Sequence, residues 1–458
     1  MDKMFKVSAI TAALVGAIAA APAMATQDNL GPEYSGAVSE FFADSTISGN
    51  FNMWMRSRDR LDIREYLDDA NTVPNPDYNK KVTNLNHGSL FVNLGFNSGY
   101  VNDVVGADFV IYSTWDMWQE GGVGHEMNFL DCDGPASSGC YDNPEKGGVS
   151  FATAAAKFKF GDNVKAKLGY FQPSVPSSLG VNWSFAPGTY RGGEIGGSFG
   201  GVDLGFVIAD EYKAPWYKTT DKFVGVDGDD EVLFSVGARY ALENGISLDG
   251  AYAKLDERAI AHFKVKGTTD GGIYWSPQLY VVKDDNQYDD GDTGYQLAFL
   301  SSYSSGQYSY RAEATYTMAE EDGNWFAYRP TAGYGGSNGA YEIWWNNRSD
   351  FNHHEELAVF GSVSRDFSDI GGTGFSAGIS GAYGFGSSVD GYKDLKEYAY
   401  SLFANYAIQG GALKDANVAF HYTQYFNDTD APSWNGYANL FQDETDFKLV
   451  LAIPFSVK

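Results

Sequence analysis

The segment Tyr308-Ser-Tyr-Arg-Ala-Glu-Ala-Thr-Tyr-Thr-Met318 alternates between two kinds of side chain along its whole length. One face is built from Tyr, Ala and Met, and the other carries Ser309, Arg311, Glu313, Thr315 and Thr317. Successive side chains of a β-strand point to opposite faces, so this pattern predicts a strand. Charged side chains lie in the middle of the polar face. That placement favours a strand between lipid and a polar lumen over a strand of a soluble sandwich.

The same period-two pattern recurs at residues 46–58, 89–97, 105–116, 154–160, 165–170 and 447–455. Some of these segments are joined by short turns such as Gly161-Asp162-Asn163, and others by long polar stretches such as 118–148 and 320–342. Short periplasmic turns that alternate with long extracellular loops are typical of an all-β, antiparallel transmembrane β-barrel. About sixteen such segments can be marked, and bacterial barrels have even strand counts. Sixteen and eighteen strands therefore both fit this chain.

Residues 1–25 have the features of a cleaved secretory signal peptide. Lys3 and Lys6 precede an apolar stretch, and Ala23-Met24-Ala25 matches the cleavage pattern, so the mature chain is expected to begin at Thr26. No later segment approaches the ~20 consecutive apolar residues of a helical span. Only helices and closed barrels satisfy the backbone within lipid, so residues 26–458 are predicted to form one outer-membrane barrel domain.

Composition narrows the classes of function. The formal net charge is −27, which disfavours nucleic-acid binding because such binding requires basic residues against phosphates. The six histidines belong to no nucleophile-elbow or zinc motif, so neither an enzyme nor a cofactor is predicted. His353-His354-Glu355-Glu356 has the residue types of a metal site. Adjacent residues at a strand start point to opposite sides, however, so a structural role is expected there and no metal.

Three stretches of the sequence resemble the OprD-like porins, in the branch that includes chitoporins. They are Phe41-Phe-Ala-Asp-Ser45 leading into 50–59, Leu168-Gly-Tyr-Phe-Gln172 with Pro187-Gly-Thr-Tyr-Arg-Gly192, and a region from Asp369-Ile-Gly-Gly-Thr-Gly-Phe375 through Glu397-Tyr-Ala-Tyr400 and Gly410-Gly-Ala-Leu-Lys414 to Glu444-Thr-Asp-Phe447. The resemblance implies an eighteen-stranded barrel, a lumen narrowed by infolded loops, and uptake of small nutrients such as amino acids, aromatic acids or chitin oligosaccharides.

The resemblance also implies a track of basic side chains along the lumen. A charge that faces lipid at the midplane costs ~2–4 kcal/mol, so mid-strand charges should face inward, where they can replace water around a passing solute. The predicted track consists of Arg56, Arg58, Lys157, Lys165, Arg191 and Arg311. The alternative is that these residues pair with Asp108, Glu313 or other lumen acids and only fill the barrel.

Loop residues supply two further predictions. Trp183, Trp344 and Trp345 lie in predicted loops, where indole rings could stack on sugar rings, or could instead pack the loops or join the interfacial belt. Cys132 and Cys140 lie in one extracellular loop, and we expect them to form a disulfide in the oxidising compartment.

The sequence thus predicts a substrate-selective diffusion channel of the bacterial outer membrane, with a lean towards chitin oligosaccharides. An amino-acid or organic-acid channel is the alternative within that class, and a membrane hydrolase or a plugged structural barrel is the alternative outside it. The expected partners are small-molecule solutes, outer-membrane lipid and lipopolysaccharide, and the barrel-assembly machinery.

Overall fold

The structure is a computed structural model. It describes residues 38–61, 80–120, 147–179, 188–214, 217–225, 227–284, 293–320, 325–331, 339–389, 392–428 and 443–457. The predicted signal peptide lies outside these residues and stays a prediction.

Within the described residues, the chain forms one short helix, α1 (Val38–Ala43), followed by strands. None of the described helices has the length and apolar character of a membrane span. The strands are β1 (Thr46–Leu61), β2 (Lys81–Asn97), β3 (Val105–Glu120), β4 (Gly147–Phe160), β5 (Val164–Phe171), β6 (Thr189–Phe199), β7 (Val202–Lys213), β8 (Asp221–Lys222), β9 (Leu233–Ala241), β10 (Ser247–Leu255), β11 (Arg258–Thr268), β12 (Tyr274–Lys283), β13 (Thr293–Ser305), β14 (Tyr308–Met318), β15 (Leu357–Phe367), β16 (Gly372–Val389), β17 (Tyr392–Ala407), β18 (Asn417–Asp428) and β19 (Glu444–Ser456).

The described strands close into a ring. Each long strand pairs antiparallel with its neighbours in the chain, and the two-residue β8 only extends the edge of β7 while β9 continues the wall. Closure is made by β1, where Met53 is opposite Leu90 of β2 on one side and Leu451 of β19 on the other. The described residues therefore contain eighteen wall strands, which confirms the predicted barrel and its larger strand number.

Side chains are distributed inside out relative to a soluble protein. Large apolar residues such as Phe109, Leu168 and Ile379 are exposed on the outer face, whereas Arg58, Lys157 and other charged residues are buried on the inner face. An outer apolar band around a polar interior is the arrangement that lipid requires of a barrel. The predicted faces of 308–318 are confirmed, because Tyr310 and Tyr316 are exposed while Glu313 and Thr317 are buried.

Several strands extend beyond the boundaries predicted from the sequence. β1 continues to Leu61 rather than Arg58, and β2 begins at Lys81 rather than Ser89. The added part of β2 carries Asn84 and Asn86, so apolar alternation fades there although pairing with β1 continues.

At the opposite end of the barrel the turns are tight. Gly200 and Gly201, with φ of 58° and 85°, make the β6–β7 turn, which needs two positive φ angles that glycine adopts without strain.

We predict that an arginine on the outer face destabilises the barrel according to its depth. Phe299 lies mid-way along β13 and is 47% exposed, whereas Tyr303 lies on the same face two residues from the strand end. Phe299→Arg should lower the free energy of unfolding by ~2–4 kcal/mol and Tyr303→Arg by ~0–1 kcal/mol. Urea unfolding from lipid vesicles measures both. Equal losses at the two positions would contradict the assigned membrane depth.

Candidate functional site

The described parts of the loop between β14 and β15, residues 319–320, 325–331 and 339–356, fold into the barrel and cross its lumen. On one side the loop is held by β11 and β12. Lys264 Nζ donates to Glu342 Oε1 at 2.9 Å, Lys266 Nζ approaches the same oxygen at 2.5 Å, and Gln278 Nε2 donates to Glu342 Oε2 at 3.0 Å. The backbone N–H of Glu342 also donates to the Tyr280 hydroxyl at 3.0 Å. One loop carboxylate thus accepts bonds from three wall side chains.

In the middle of the crossing, two adjacent tryptophans have different surroundings. Trp345 is buried, donates from Nε1 to Glu313 Oε2 at 2.8 Å and stacks on Phe360 at a centroid distance of 5.4 Å. Trp344 is only half-buried, and its carbonyl accepts a hydrogen bond from Arg311 Nη2 at 3.1 Å. Trp345 therefore packs the loop against the wall, while Trp344 is the tryptophan placed to meet the lumen.

On the far side the loop reaches β16 to β19. Asn347 Oδ1 accepts from Ser401 Oγ at 2.6 Å, and Asn346 Oδ1 accepts from Lys448 Nζ at 2.9 Å. Arg348 pairs with Glu444. Asn346 and Arg348 have positive φ angles of 54° and 80°, a conformation that a non-glycine residue keeps only when its surroundings enforce it. The loop is therefore a fixed constriction within its described residues.

Basic residues gather beside this end of the loop, on the inner face of β1 and β19. The group consists of Arg56, Arg58, Arg60, Arg348 and Lys448, and its carboxylates are Glu444 and Asp446. Arg56 holds Asp446 through two hydrogen bonds of 2.8 and 2.7 Å. Among the ion pairs of the described residues, these five basic groups share the carboxylates Glu444 and Asp446. They form a dense basic cluster where the loop meets the wall.

The other predicted track residues lie apart from this group. Lys157, near the short-turn end of β4, pairs with Asp108 at 2.8 Å, and Lys165 follows on β5. Arg311 pairs with Glu313 at 2.8 Å. Arg191 lies at a β-bulge near the long-loop end of β6 and pairs with Asp210 and Glu211. The structure thus brings Arg56 and Arg58 together, places Lys157 and Lys165 on the paired strands β4 and β5, and leaves Arg191 and Arg311 at separate places.

Some predicted residues lie outside the described part of the chain, namely Trp183, Cys132 and Cys140. The role of Trp183 in stacking on sugars and the disulfide between the two cysteines therefore stay predictions.

The sequence patterns did not predict the roles of Arg60, Lys448 and Arg348. Arg60 continues the spacing of Arg56 and Arg58 and could have been found from that pattern. Arg348 carried no local signal, because only the crossing of the loop brings it to β19.

A patch of neutral polar side chains lies on the inner face of β1 and β2. Asn52, His87 and Asn93 are buried, and the amide of Asn52, both ring nitrogens of His87 and the Asn93 amide nitrogen have no hydrogen-bond partner among the described residues. A buried polar group without a partner costs about 1–3 kcal/mol, so these groups need partners such as internal water.

A sequence profile described as outer membrane porin, OprD family, matches residues 39–457. Among curated proteins, the chain is 35% identical to Chitoporin of Escherichia coli (strain K12), over 91% of this chain and 92% of that protein. These relatives are channels and not enzymes.

Solved structures show the same fold. The Pseudomonas aeruginosa porin OccK9 (OpdG) aligns with a TM-score of 0.71 at 16% identity, over 91% of this chain and all of that chain. Acinetobacter baumannii OccAB1 aligns with a TM-score of 0.70 at 14% identity, over 93% of this chain and all of that chain. Pseudomonas aeruginosa OpdK, solved with vanillate, gives 0.68 at 15% identity, over 91% of this chain and all of that chain.

We predict that acid loosens the loop crossing through Glu342. Burial alone would raise the pKa of Glu342, but Lys264 and Lys266 outweigh burial and hold the pKa below its ordinary value of 4.5. A depressed carboxyl pKa stabilises the fold above the ordinary value, and this contribution is lost as the pH falls through the folded value. Current fluctuations of single channels should therefore increase below pH ~4.5. Glu342→Gln should show them already at pH 7.

The control for this experiment is Glu257→Gln, because Glu257 is an exposed carboxylate in the β10–β11 turn. It should behave as the unmodified protein does. A Glu342→Gln channel that is as quiet at pH 7 as the unmodified channel would show that these ion pairs do not hold the loop.

We predict that Arg60→Gln shifts the ion selectivity of the pore towards cations. Arg60 pairs with Glu444 at 2.8 Å, and its side chain keeps 25% exposure, so it is the most accessible of the three β1 arginines named in these ion pairs. The reversal potential in a salt gradient should shift towards cation selectivity. Lys414→Gln, at an exposed turn residue, provides the matched control and should leave the potential unchanged. Equal shifts in both variants would indicate a general charge effect.

Proposed function

This chain belongs to the OprD family of outer membrane porins, and from that premise we propose that it carries chitin oligosaccharides across the outer membrane. The observation that carries the proposal is the 35% identity to a chitoporin along nearly the whole of both chains. Similarity of this extent includes the wall strands and the loop that crosses the lumen. A solute preference is set by these same parts of a pore.

Trp344 supports a sugar as the solute. Its ring is half-buried on the crossing loop, and its Nε1 has no hydrogen-bond partner among the described residues. An indole offers a flat apolar face together with one donor. The C–H face of a sugar ring can stack on the indole.

The second candidate is a channel for organic acids or acidic amino acids. It is favoured by the cluster of basic groups where the loop meets β1 and β19. A carboxylate solute would bind there by charge-assisted hydrogen bonds, which are about twice as strong as neutral ones. Contact with lipopolysaccharide and recognition by the barrel-assembly machinery also stay proposals.

The test is single-channel current across a planar bilayer with chitohexaose added. We predict concentration-dependent blocking by chitohexaose and weaker blocking by cellohexaose, which has the same length but no acetamido groups. Trp344→Ala should raise the half-blocking concentration of chitohexaose up to about tenfold, since aromatic stacking is worth ~0.5–1.5 kcal/mol. Trp115→Ala is the control, because Trp115 is 64% exposed on the outer face of β3.

Other outcomes separate the alternatives. Blocking by vanillate or glutamate without blocking by chitohexaose would establish the organic-acid channel instead. An open current that none of these solutes affects would indicate a general porin. The absence of current from a folded, heat-modifiable barrel would indicate a plugged pore.

A further inference from the structure

Three ligand-type side chains meet where the crossing loop joins the wall. His353 and Glu356 lie at the end of the β14–β15 loop, and Glu397 projects inward from β17. His353 Nδ1 is 3.0 Å from Glu356 Oε2 and 3.4 Å from Glu397 Oε1. The side chains of all three residues are at most 1% exposed. None of these groups takes part in the solute path described above.

The fold brings these side chains together through local and long-range contacts. The backbone N–H of Glu356 donates to the His353 carbonyl at 3.1 Å, which turns the loop and places both side chains on one side. Glu356 Oε1 then lies over Gly384 of β16, where an added Cβ would be 1.9 Å from that oxygen. Tyr425 of β18 donates its hydroxyl to Glu397 Oε2 at 2.7 Å and orients the second carboxylate.

Among the described residues, His353 is the only ion-pair partner of either Glu356 or Glu397. Two fully buried carboxyl groups thus share one basic partner. Burying a carboxylate without compensation is costly, and a divalent cation is one group that can supply the compensation.

Glu397 Oε1 is the carboxylate oxygen open towards the cluster. It is buried without a hydrogen-bond partner among the described residues and lies 3.4 Å from His353 Nδ1. Glu356 presents Oε2 to the same nitrogen at 3.0 Å, while its Oε1 packs against Gly384. Metal–ligand distances of ~2.0–2.2 Å in a tetrahedral site place neighbouring ligand atoms about 3.3 Å apart. Small shifts of these three ligand atoms would therefore admit an ion between them.

We propose that His353, Glu356 and Glu397 bind a divalent transition-metal ion of the zinc class, which fastens the end of the crossing loop to β17. One imidazole and two carboxylates are a common zinc ligand set, and a water can take the fourth position. Calcium and magnesium fit poorly, because they prefer six or more oxygen ligands. The site is structural and independent of which solute passes the pore.

This proposal departs from the expectation of no metal at His353-His354-Glu355-Glu356. The two histidines do have different partners, as the sequence predicted, because His354 Nδ1 accepts from the backbone N–H of Ala319 at 3.3 Å. The third ligand, Glu397, belongs to a different strand. No spacing within the local motif could reveal it.

The experiment measures metal bound to the full-length folded porin in detergent. After treatment with a chelator, the protein is titrated with Zn²⁺, Ca²⁺ or Mg²⁺, and bound metal is quantified by mass spectrometry and calorimetry. We expect one Zn²⁺ per chain and no saturable Ca²⁺ or Mg²⁺ binding at this site. Co²⁺ in place of Zn²⁺ should give the visible absorption of a four-coordinate ion.

Variants assign the binding to these residues. Glu397→Gln, Glu356→Gln and His353→Gln should each weaken Zn²⁺ binding by at least about a hundredfold, and Tyr425→Phe by about ten- to a hundredfold. His354→Ala is the matched control, since it removes the neighbouring buried histidine, and it should bind as the unmodified protein does. Heat modifiability identifies folded barrels, and any one folded ligand variant suffices for the comparison.

The proposal is overturned if Zn²⁺ does not bind saturably, or if binding persists unchanged in a folded ligand variant. In either case the cluster is an imidazolium held by two carboxylates. Metal content is measured without any solute, so this result is independent of the blocking experiments with oligosaccharides.

Discussion

The structure depends on the need to pair every backbone N–H and C=O group within lipid. An unsatisfied backbone group in the hydrocarbon core costs several kcal/mol, and a sheet avoids open edges there only by closing on itself. In this chain closure is made by β1, which pairs with β2 over most of its length and with β19 on its other side. Closure sets which face of each strand meets lipid. The positions of all charged side chains in the wall follow from that assignment.

Charges confined to the interior have to find partners, and the crossing loop provides several of them. Glu342 accepts from Lys264 and Lys266, Trp345 donates to Glu313, and Arg348 pairs with Glu444. The wall thus compensates part of its own charge by holding a loop across the lumen. The same contacts narrow the pore, so the stability of the loop and the selectivity of the channel share a physical origin. Backbone strain at Asn346 and Arg348 is tolerated because contacts on both sides of the crossing enforce it.

Two features of the interior bear on the choice of solute. Basic side chains cluster where the loop meets β1 and β19, and the half-buried ring of Trp344 offers a flat apolar face on the crossing loop. A neutral acetylated sugar can stack on that ring without losing the hydration of a full charge. The cluster of His353, Glu356 and Glu397 does not meet the solute directly, because it lies at the base of the loop that carries Trp344. Fixing that base would limit the motion of the constriction.

The sequence by itself determined the barrel, its membrane setting and the inward direction of residues such as Arg56 and Arg311, because strand alternation has a period of two and lipid excludes charge. It also contained the signal for Arg60, which continues the spacing of its neighbours. Only the tertiary structure decided that Trp345 packs while Trp344 stays half-exposed, that Arg348 joins β19, and that Glu397 meets His353. These contacts join residues far apart in the chain. Their formation depends on how a long loop folds back across a closed ring, and no local periodicity encodes that path.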